Sequence, residues 1–405
     1  MLSSPYKSCG VNTVPRKVLV IAPTMFSADY GGAARIIEQI KALSLLGVCT
    51  EMYTYSVQGA LDKALSVKAH GLPIVPRFYQ GTMFDRVYLD FSLALKIFLS
   101  NNVKPVFILS YNQEATLISK ITNLFRSPIV TDAQGVLKEE FTSQGRCKEL
   151  SKIVHIFERK LFEFSSLILA SNPFLANFII HGLGADPKKV EVVLDTADTK
   201  LFMPRNKDNP RVEYLRSTLG IKKEALIVLY VGSFSALQGT DILLKAAKCV
   251  LEQEKNLFFV LAGGRWNRDY EYYIRTAENL GISSHVKFIP GVSYIRTLPY
   301  LLNLADVAVA PKRFSLQSHG KLAVLMASAL PTVVFDNRIN RLFLDSLGIY
   351  VKEVNAEVFA EAIISGMNET DNNNLREKLR ERAVRYFSLQ RLVNDMQRVY
   401  EKVAV

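Results

Sequence analysis

Val309-Ala310-Pro311-Lys312-Arg313-Phe314-Ser315-Leu316-Gln317-Ser318-His319-Gly320-Lys321-Leu322 runs on into Met326-Ala327-Ser328-Ala329-Leu330-Pro331-Thr332-Val333-Val334. The apolar stretch from Asp306 to Ala310 reads as a strand and ends in a polar, cationic loop. A helical run follows, and Pro331 opens a second buried strand. In an open α/β sheet, ligands sit outside the carboxyl ends of the strands, where helix N-termini point at them. Lys312, Arg313 and Lys321, with Ser318, His319 and Gly320 before the helix, suit an anionic ligand, because free backbone N–H groups and the helix dipole favour negative charge. The same residues also suit a solvated basic loop between core elements, since such loops are common in α/β proteins.

Outward from this stretch the pattern repeats. Leu226 to Val231 is a continuous apolar run, Gly232 to Asp241 a polar turn, and Ile242, Leu243, Ala246 and Val250 fall at helical spacing. The first half has the same rhythm: Val18 to Ala22 as a buried strand, the pair Gly31-Gly32, then a helix with Ile36, Ile37, Ile40, Leu43 and Leu46 on one face and Gly47 at its end. Short apolar runs at Pro105 to Ser110, Pro128 to Thr131, Leu167 to Ser171 and Val190 to Leu194 continue the alternation. Two α/β domains with parallel sheets are expected. The polar, Pro-punctuated stretch Met203 to Pro210 separates them. The expected division is a tail over 1–15, a first domain over 16–203, a second over 204–374, and a charged C-terminal helix over 375–405.

Residues 230–246 (YVGSFSALQGTDILLKA), 258–264 (FFVLAGG), 286–292 (VKFIPGV), 301–311 (LLNLADVAVAP) and 320–334 (GKLAVLMASALPTVV) together resemble the C-terminal domain of family 4 glycosyltransferases. Residues 16–23 and 30–47 are similar to that family's opening strand, diglycine loop and first helix; 127–141 resembles its acceptor-side segment, and 188–204 the close of its first domain. The resemblance implies the GT-B fold: two Rossmann-like domains facing across a cleft, with the C-terminal helix crossing back onto the first. It implies transfer of a sugar from a nucleotide-sugar to a hydroxyl of a glycan or lipid-linked glycan, with retained anomeric configuration and no metal or other cofactor. The first domain then positions the acceptor, and the stretch Pro204 to Pro210 acts as a hinge.

The site residues come from the same segments. Gly31 and Gly32, between strand and helix, let backbone approach a diphosphate or simply make a turn. They are not a G-x-G-x-x-G fingerprint, which opposes a nicotinamide dehydrogenase. Arg35, one turn later, faces either the cleft or solvent. Gly232, Ser233 and Gln238 stand where many relatives carry an Arg and a Lys on the donor diphosphate, and Gln238 brings hydrogen bonds but no charge. Gly263 and Gly264, ahead of Arg265 and Trp266, suit a wall beside a nucleotide. Gln134 occupies the place of a His that touches the donor sugar, or is a loop residue beside Gly135; Glu139 and Glu140 beyond it suit an exposed helical face. Lys321 and Gln134 are the expected catalytic residues. Lys312, Arg313, Ser318, His319 and Gly320 are expected to contact donor. Metal ligation by His319 is not expected, because no other His or Cys lies near it in sequence. The resemblance departs at the family's paired glutamates, which fall on Leu316 and Val324, and at Ala329, where Gly is usual. That opens a second reading: a non-catalytic GT-B protein that binds and stabilises an active transferase.

Composition bounds these readings. The 405 residues are too many for one ordinary core, and 49% hydrophobic with 22% charged residues marks a globular chain. The net charge of +12 comes from both halves, 22 basic against 17 acidic residues in 1–203 and 28 against 21 in 204–405, so there is no detached arm of the nucleic-acid-binding kind. A diffuse positive field suits an anionic substrate or membrane surface, as well as plain solubility. Cys9, Cys49, Cys147 and Cys249 are widely spaced, which opposes a zinc site and a disulfide framework and makes a reduced, cytoplasmic setting the expectation. Residues 1–15 lack a signal-peptide core, and no apolar run reaches spanning length. Any membrane attachment is therefore expected to be peripheral, on the inner face. The run Met83 to Leu99 reads either as a helix lying on lipid or as one facing the core.

Overall fold

The computed structural model describes residues 17–27, 31–58, 67–73, 83–100, 104–137, 148–263, 269–313, 316–369 and 372–404. The first domain runs β1 (Lys17–Ser27), α1 (Gly31–Leu45), β2 (Cys49–Gln58), β3 (Lys68–His70), α2 (Met83–Ser100), β4 (Phe107–Tyr111), α3 (Asn112–Thr122), β5 (Ile129–Ala133), α4 (Lys148–Glu163), β6 (Leu167–Ala170), α5 (Pro173–Asn177) and β7 (Val190–Val192). Its strands lie in the order β3-β2-β1-β4-β5-β6-β7. Each pairing is parallel. Val18, Leu19, Val20 and Ile21 are fully buried at the centre, as parallel strands covered on both faces require.

The second domain continues with α6 (Pro210–Thr218), β8 (Leu226–Val231), α7 (Thr240–Gln253), β9 (Leu257–Gly263), α8 (Asp269–Asn279), β10 (Val286–Pro290), α9 (Leu298–Leu304), β11 (Val307–Ala310), α10 (Lys321–Ala327), β12 (Thr332–Phe335), α11 (Arg338–Leu344), β13 (Ile349–Val351) and α12 (Ala356–Asn368). Its parallel sheet has the order β10-β9-β8-β11-β12-β13. In both sheets the order reverses beside the first strand, at β1/β4 and at β8/β11. Those are the switch points where a doubly wound sheet leaves a crevice.

The charged segment read as one helix from Leu375 is two: α13 (Asn373–Tyr386) and α14 (Leu389–Val403). The break has a local cause. Ala197, in the linker after β7, donates its N–H to the Phe387 carbonyl (2.8 Å) and accepts from Leu389 N–H (3.0 Å), so the backbone at Phe387–Ser388 pairs sideways. The Ser388 hydroxyl then accepts from Arg391 N–H and caps α14. α13 packs on α10 in the second domain, and α14 on α1 in the first. Arg380 on α13 ties the linker down, donating to the carbonyls of Thr199, Phe202 and Ala327 at 2.6 Å each. One apolar cluster therefore runs from Val18 and Ile36 through Phe202 and Leu298 to Leu322 and Met396, across both domains.

Two local departures stand out. Ala329, just after α10, sits at φ +56, which explains why glycine suits this position: a Cβ in the left-handed region costs about 1–2 kcal/mol. Cys49 is disulfide-bonded, against the expectation drawn from cysteine spacing. Spacing along the chain does not report distances after folding. Cys249 is a free thiol.

Candidate functional site

The two crevices face one another and enclose a cavity of about 280 Å³. The first domain lines it with Ala34 and Arg35 of α1 and with residues just past β4, β5, β6 and β7: Asn112, Gln134, Ser171, Asp195 and Thr196. The second domain contributes Gly232, Ser233 and Gln238 after β8, and Lys312, Gln317, Ser318, His319, Gly320 and Lys321 after β11. Asn112 adopts φ +68, a conformation that Asn tolerates better than most side chains.

Of the two positions open for Arg35, the structure gives the cleft: it lines the cavity, buried, with its guanidinium held by first-domain carboxylates. Its Nε and Nη2 donate to Asp132 at 2.6–3.1 Å, Nη1 to Asp195 Oδ1 at 2.9 Å, and Nη2 also to the Val193 carbonyl at 2.9 Å. Burial alone would lower its pKa, but Asp132 and then Asp195 outweigh burial and keep it charged. Gln39 extends the network, donating to Asp132 (3.3 Å) and accepting from the Tyr111 hydroxyl (2.6 Å). The cluster holds α1, β4, β5 and the segment after β7 in one geometry. It also brings Asp195 against Gly320, where an added Cβ would lie 2.8 Å from the carboxylate oxygen. Only glycine allows the two domains to meet that closely here.

Beneath Gln134, the buried Gln113 donates from Nε2 to the Gly135 carbonyl (3.1 Å) and to Glu158 Oε1 (2.8 Å), while Leu137 N–H donates to the same carboxylate oxygen (2.9 Å). This pair props the loop that presents Gln134.

On the facing wall, Lys321 Nζ donates to Gln238 Oε1 (3.1 Å) and lies 4.5 Å above the Tyr230 ring. Burial, then repulsion from Lys312, lowers its pKa to about 7. Gly232, at φ +146, makes room for it: a Cβ there would lie 2.6 Å from Nζ. Lys312 is buried and donates to the carbonyls of Ser318 (2.8 Å) and Gln317 (3.2 Å), holding the loop's shape. Asn340 Nδ2 donates to the Phe335 carbonyl, so its Oδ1 is the acceptor that faces His319 Nδ1 at 2.7 Å. His319 thus carries its proton on Nδ1, and burial, Lys321 and Lys312 hold its pKa well below the usual imidazole range. Its Nε2 is left as an acceptor. Nε2, Ser318 Oγ and Thr196 Oγ1 are buried without a hydrogen-bond partner among the described residues.

The fold thus gathers Gln134, Gly232, Ser233, Gln238, Lys312, Ser318, His319, Gly320 and Lys321 around one cavity. Gly31 and Gly32 form the first turn of α1, the helix that supplies Ala34 and Arg35. Other expected contacts lie elsewhere. Arg313 turns away, its guanidinium on the Ala236 carbonyl (2.5 Å) and Asp241 (2.8 Å), because Asp241 opens α7 on the outer side of the loop. Gly263 is a spacer at the end of β9; a Cβ there would lie 2.3 Å from the Gly232 carbonyl oxygen. Gly264, Arg265, Trp266, Glu139 and Glu140 fall outside the described residues. Asn112, Ser171, Asp195, Thr196 and the Arg35–Asp132 pair escaped the sequence reading. Their shared signal, a polar residue just after an apolar strand, occurs at every strand of the sheet.

Leu316 and Val324, at the two glutamate positions, are both apolar in use. Leu316 packs with the first-domain cluster of Ala133, Val136 and Leu175, and its carbonyl accepts from buried Asn172 (2.8 Å). Gln317 lies so close to Gly135 that a Cβ there would come within 2.5 Å of its Cγ. Val324 is buried in the cavity wall. Among the described residues no group of three or more His, Cys, Asp or Glu is placed to hold a metal.

Residues 212–386 match the family model of glycosyl transferases group 1. The chain is 27% identical over 262 residues to a D-inositol 3-phosphate glycosyltransferase of Jonesia denitrificans, covering 62% of this chain and 60% of that protein. It spans less than two thirds of the length of the curated relatives it matches first. Among solved structures it resembles sucrose-phosphate synthase from Thermosynechococcus elongatus, with a TM-score of 0.77 at 16% identity over 96% of this chain and 98% of that one. It also resembles Anabaena Alr3699/HepE in complex with UDP-glucose, with a TM-score of 0.74 at 14% identity over 95% and 99%. The fold is GT-B.

Proposed function

We propose that the chain transfers a sugar from a nucleotide-sugar to a hydroxyl of a glycan or lipid-linked glycan, with retention at the anomeric carbon and without a metal, as a family 4 glycosyltransferase does. The observation that carries this reading is the interdomain cavity, where Lys321 meets three residues whose buried Nε2 or hydroxyl has no partner among the described residues, His319, Ser318 and Thr196. An unsatisfied buried polar group costs about 1–3 kcal/mol, so such a set is expected where a ligand supplies the missing bonds. Lys321 sits on the donor side and neutralises charge growing on the leaving diphosphate, the kind of fixed electrostatics that usually contributes most to catalysis. Gln134 faces it from the first domain and suits a sugar hydroxyl. The acceptor binds on the first-domain side. We place the chain in the cytoplasm with peripheral attachment to the inner face of the membrane, a setting in which the Cys49 disulfide is an exception; no helix among the described residues is long and apolar enough to cross a membrane.

Leu316 supports a second reading, a non-catalytic partner of an active transferase. At the family's first glutamate position this chain carries a side chain that packs across the interface and can neither hydrogen-bond a ribose nor support a cationic centre. A panel of UDP- and GDP-sugars separates the two readings. A donor should raise the melting temperature, since only a ligand of the native state stabilises it, and should be consumed when acceptor is supplied. Donor binding without turnover, under any acceptor tried, favours the partner reading; no binding of any nucleotide-sugar refutes the donor site.

A further inference from the structure

α2 is apolar on two opposite sides. Leu89, Leu93 and Ile97 are fully buried against the sheet. Phe84, Tyr88, Phe91, Leu95 and Phe98, spaced by three and four residues, form a ridge on the outer side, with Phe84 87% and Phe91 70% exposed. The core-facing side expected for this run is present, and a second apolar side is left exposed. The ridge has neighbours. α3 packs beside α2 and α4 beside α3, all on the same face of the sheet, opposite α1 and α14. Ile121 and Leu124, at and just beyond the end of α3, are exposed, as are Ile153 and Ile156 on α4 and Phe164 just after it. Scattered exposed apolar residues are ordinary; an exposed apolar ridge on one helix, with further exposed apolar residues on the two helices packed beside it, marks a contact surface.

Its charges favour one occupant. α2, α3 and α4 all run antiparallel to the strands, so their C-terminal ends share the sheet edge remote from the cavity. Lys104, Lys120 and Arg126 lie at that edge and form no ion pair among the described residues; Lys120 instead sits 5.2 Å over the Phe164 ring. Three carboxylates of these helices are already engaged, Glu114 with Arg86, Glu163 with Lys160, and Asp90 as acceptor for the Tyr55 hydroxyl. A second copy of a chain with net charge +12 would meet this edge with repulsion.

We infer that the α2–α3–α4 face seats the protein on an anionic lipid surface. Phe and Leu side chains enter the acyl boundary, and the Lys104, Lys120 and Arg126 edge meets anionic headgroups. A convex ridge needs no complementary groove in a fluid bilayer. The cavity stays clear because it opens at the carboxyl ends of the strands. The inference rests on the proposed peripheral setting only for the choice of lipid as partner.

The full chain is tested by cosedimentation with vesicles of phosphatidylcholine alone and of phosphatidylcholine with one third phosphatidylglycerol. Binding to the anionic vesicles should exceed binding to the neutral ones at least about fivefold and should fall when salt rises from about 0.1 M to 1 M, where screening shortens from about 10 Å to 3 Å. Phe91→Asp/Phe98→Asp should weaken it at least about tenfold with unchanged circular dichroism, and Lys120→Glu/Arg126→Glu severalfold. No binding by the wild type, or binding that both variants keep, overturns the inference. So does a dimer in sedimentation that Phe91→Asp/Phe98→Asp dissociates while vesicle binding is absent. Calorimetry with nucleotide-sugars but no vesicles keeps the questions apart: nucleotide binding without vesicle binding sinks the lipid face alone, and the converse sinks the transferase reading alone.

Discussion

The lowered pKa of Lys321 makes donor binding a proton-linked event. In the free protein its pKa of about 7 leaves it roughly half protonated at neutral pH. A diphosphate interacts with the ammonium and not with the amine, so binding raises the pKa. Below about pH 7 both free and bound protein carry the proton and affinity is flat. Above it the bound form holds a proton that the free form has lost, so the dissociation constant climbs towards tenfold per pH unit. Between pH 6 and pH 8 the affinity for a UDP-sugar should fall about tenfold, or about 1.4 kcal/mol. The diphosphate diester itself does not titrate in this range. Calorimetry in two buffers of different ionisation heat should find about half a proton taken up at pH 7. Lys321→Gln should bind weakly with no pH dependence, and Lys321→Ala should lose about 2–4 kcal/mol of transition-state stabilisation. The ligand-free protein should respond in the opposite sense. A lysine whose folded pKa falls from 10.5 to about 7 opposes folding as pH drops through that window, because the unfolded chain takes up the proton first. At about 1.4 kcal/mol per pH unit the upper limit is about 5 kcal/mol. Partial exposure and the contacts with Gln238 and Tyr230 reduce it, so Lys321→Met should stabilise the empty protein by about 1–3 kcal/mol at pH 7. A wild type that binds nucleotide-sugar with equal affinity at pH 6 and pH 8, without proton uptake, would refute this reasoning.

Asp132→Asn should destabilise the fold by about 3–5 kcal/mol in urea titration, because it leaves the buried Arg35 without its main partner; a loss under 1 kcal/mol would mean that Asp195 alone suffices. Leu316→Ala should cost about 1–2 kcal/mol of interdomain packing and increase the radius of gyration in X-ray scattering as the cleft opens. An unchanged scattering profile would show that the α13–α14 strap and the remaining interdomain contacts keep the cleft closed without this side chain.

The two-domain α/β architecture was legible in the sequence because central parallel strands are buried on both faces and must read as continuous apolar runs, such as Val18 to Ala22 and Leu226 to Val231. Most of the second-domain wall was legible for a related reason. Gly232, Gln238 and the Lys312 to Lys321 loop sit within a few residues of their strand ends, so sequence position fixes which end of the sheet they occupy. The first-domain wall was not. Arg35 meets Asp132 and Asp195, 97 and 160 residues away, and nothing in its own helix distinguishes that buried pairing from exposure. The same limit applies to direction. Lys312 and Arg313 are adjacent in an irregular loop, yet one lines the cavity and the other leaves it, because packing against α7 offers Asp241 to Arg313. The break between α13 and α14 depends on a backbone pairing with Ala197, nearly two hundred residues upstream. Apolar periodicity could not tell the two sides of α2 apart either, since both carry large hydrophobic side chains. Sequence determines the elements and the residues placed at each strand end; only tertiary contact decides which charges neutralise one another and which faces remain uncovered.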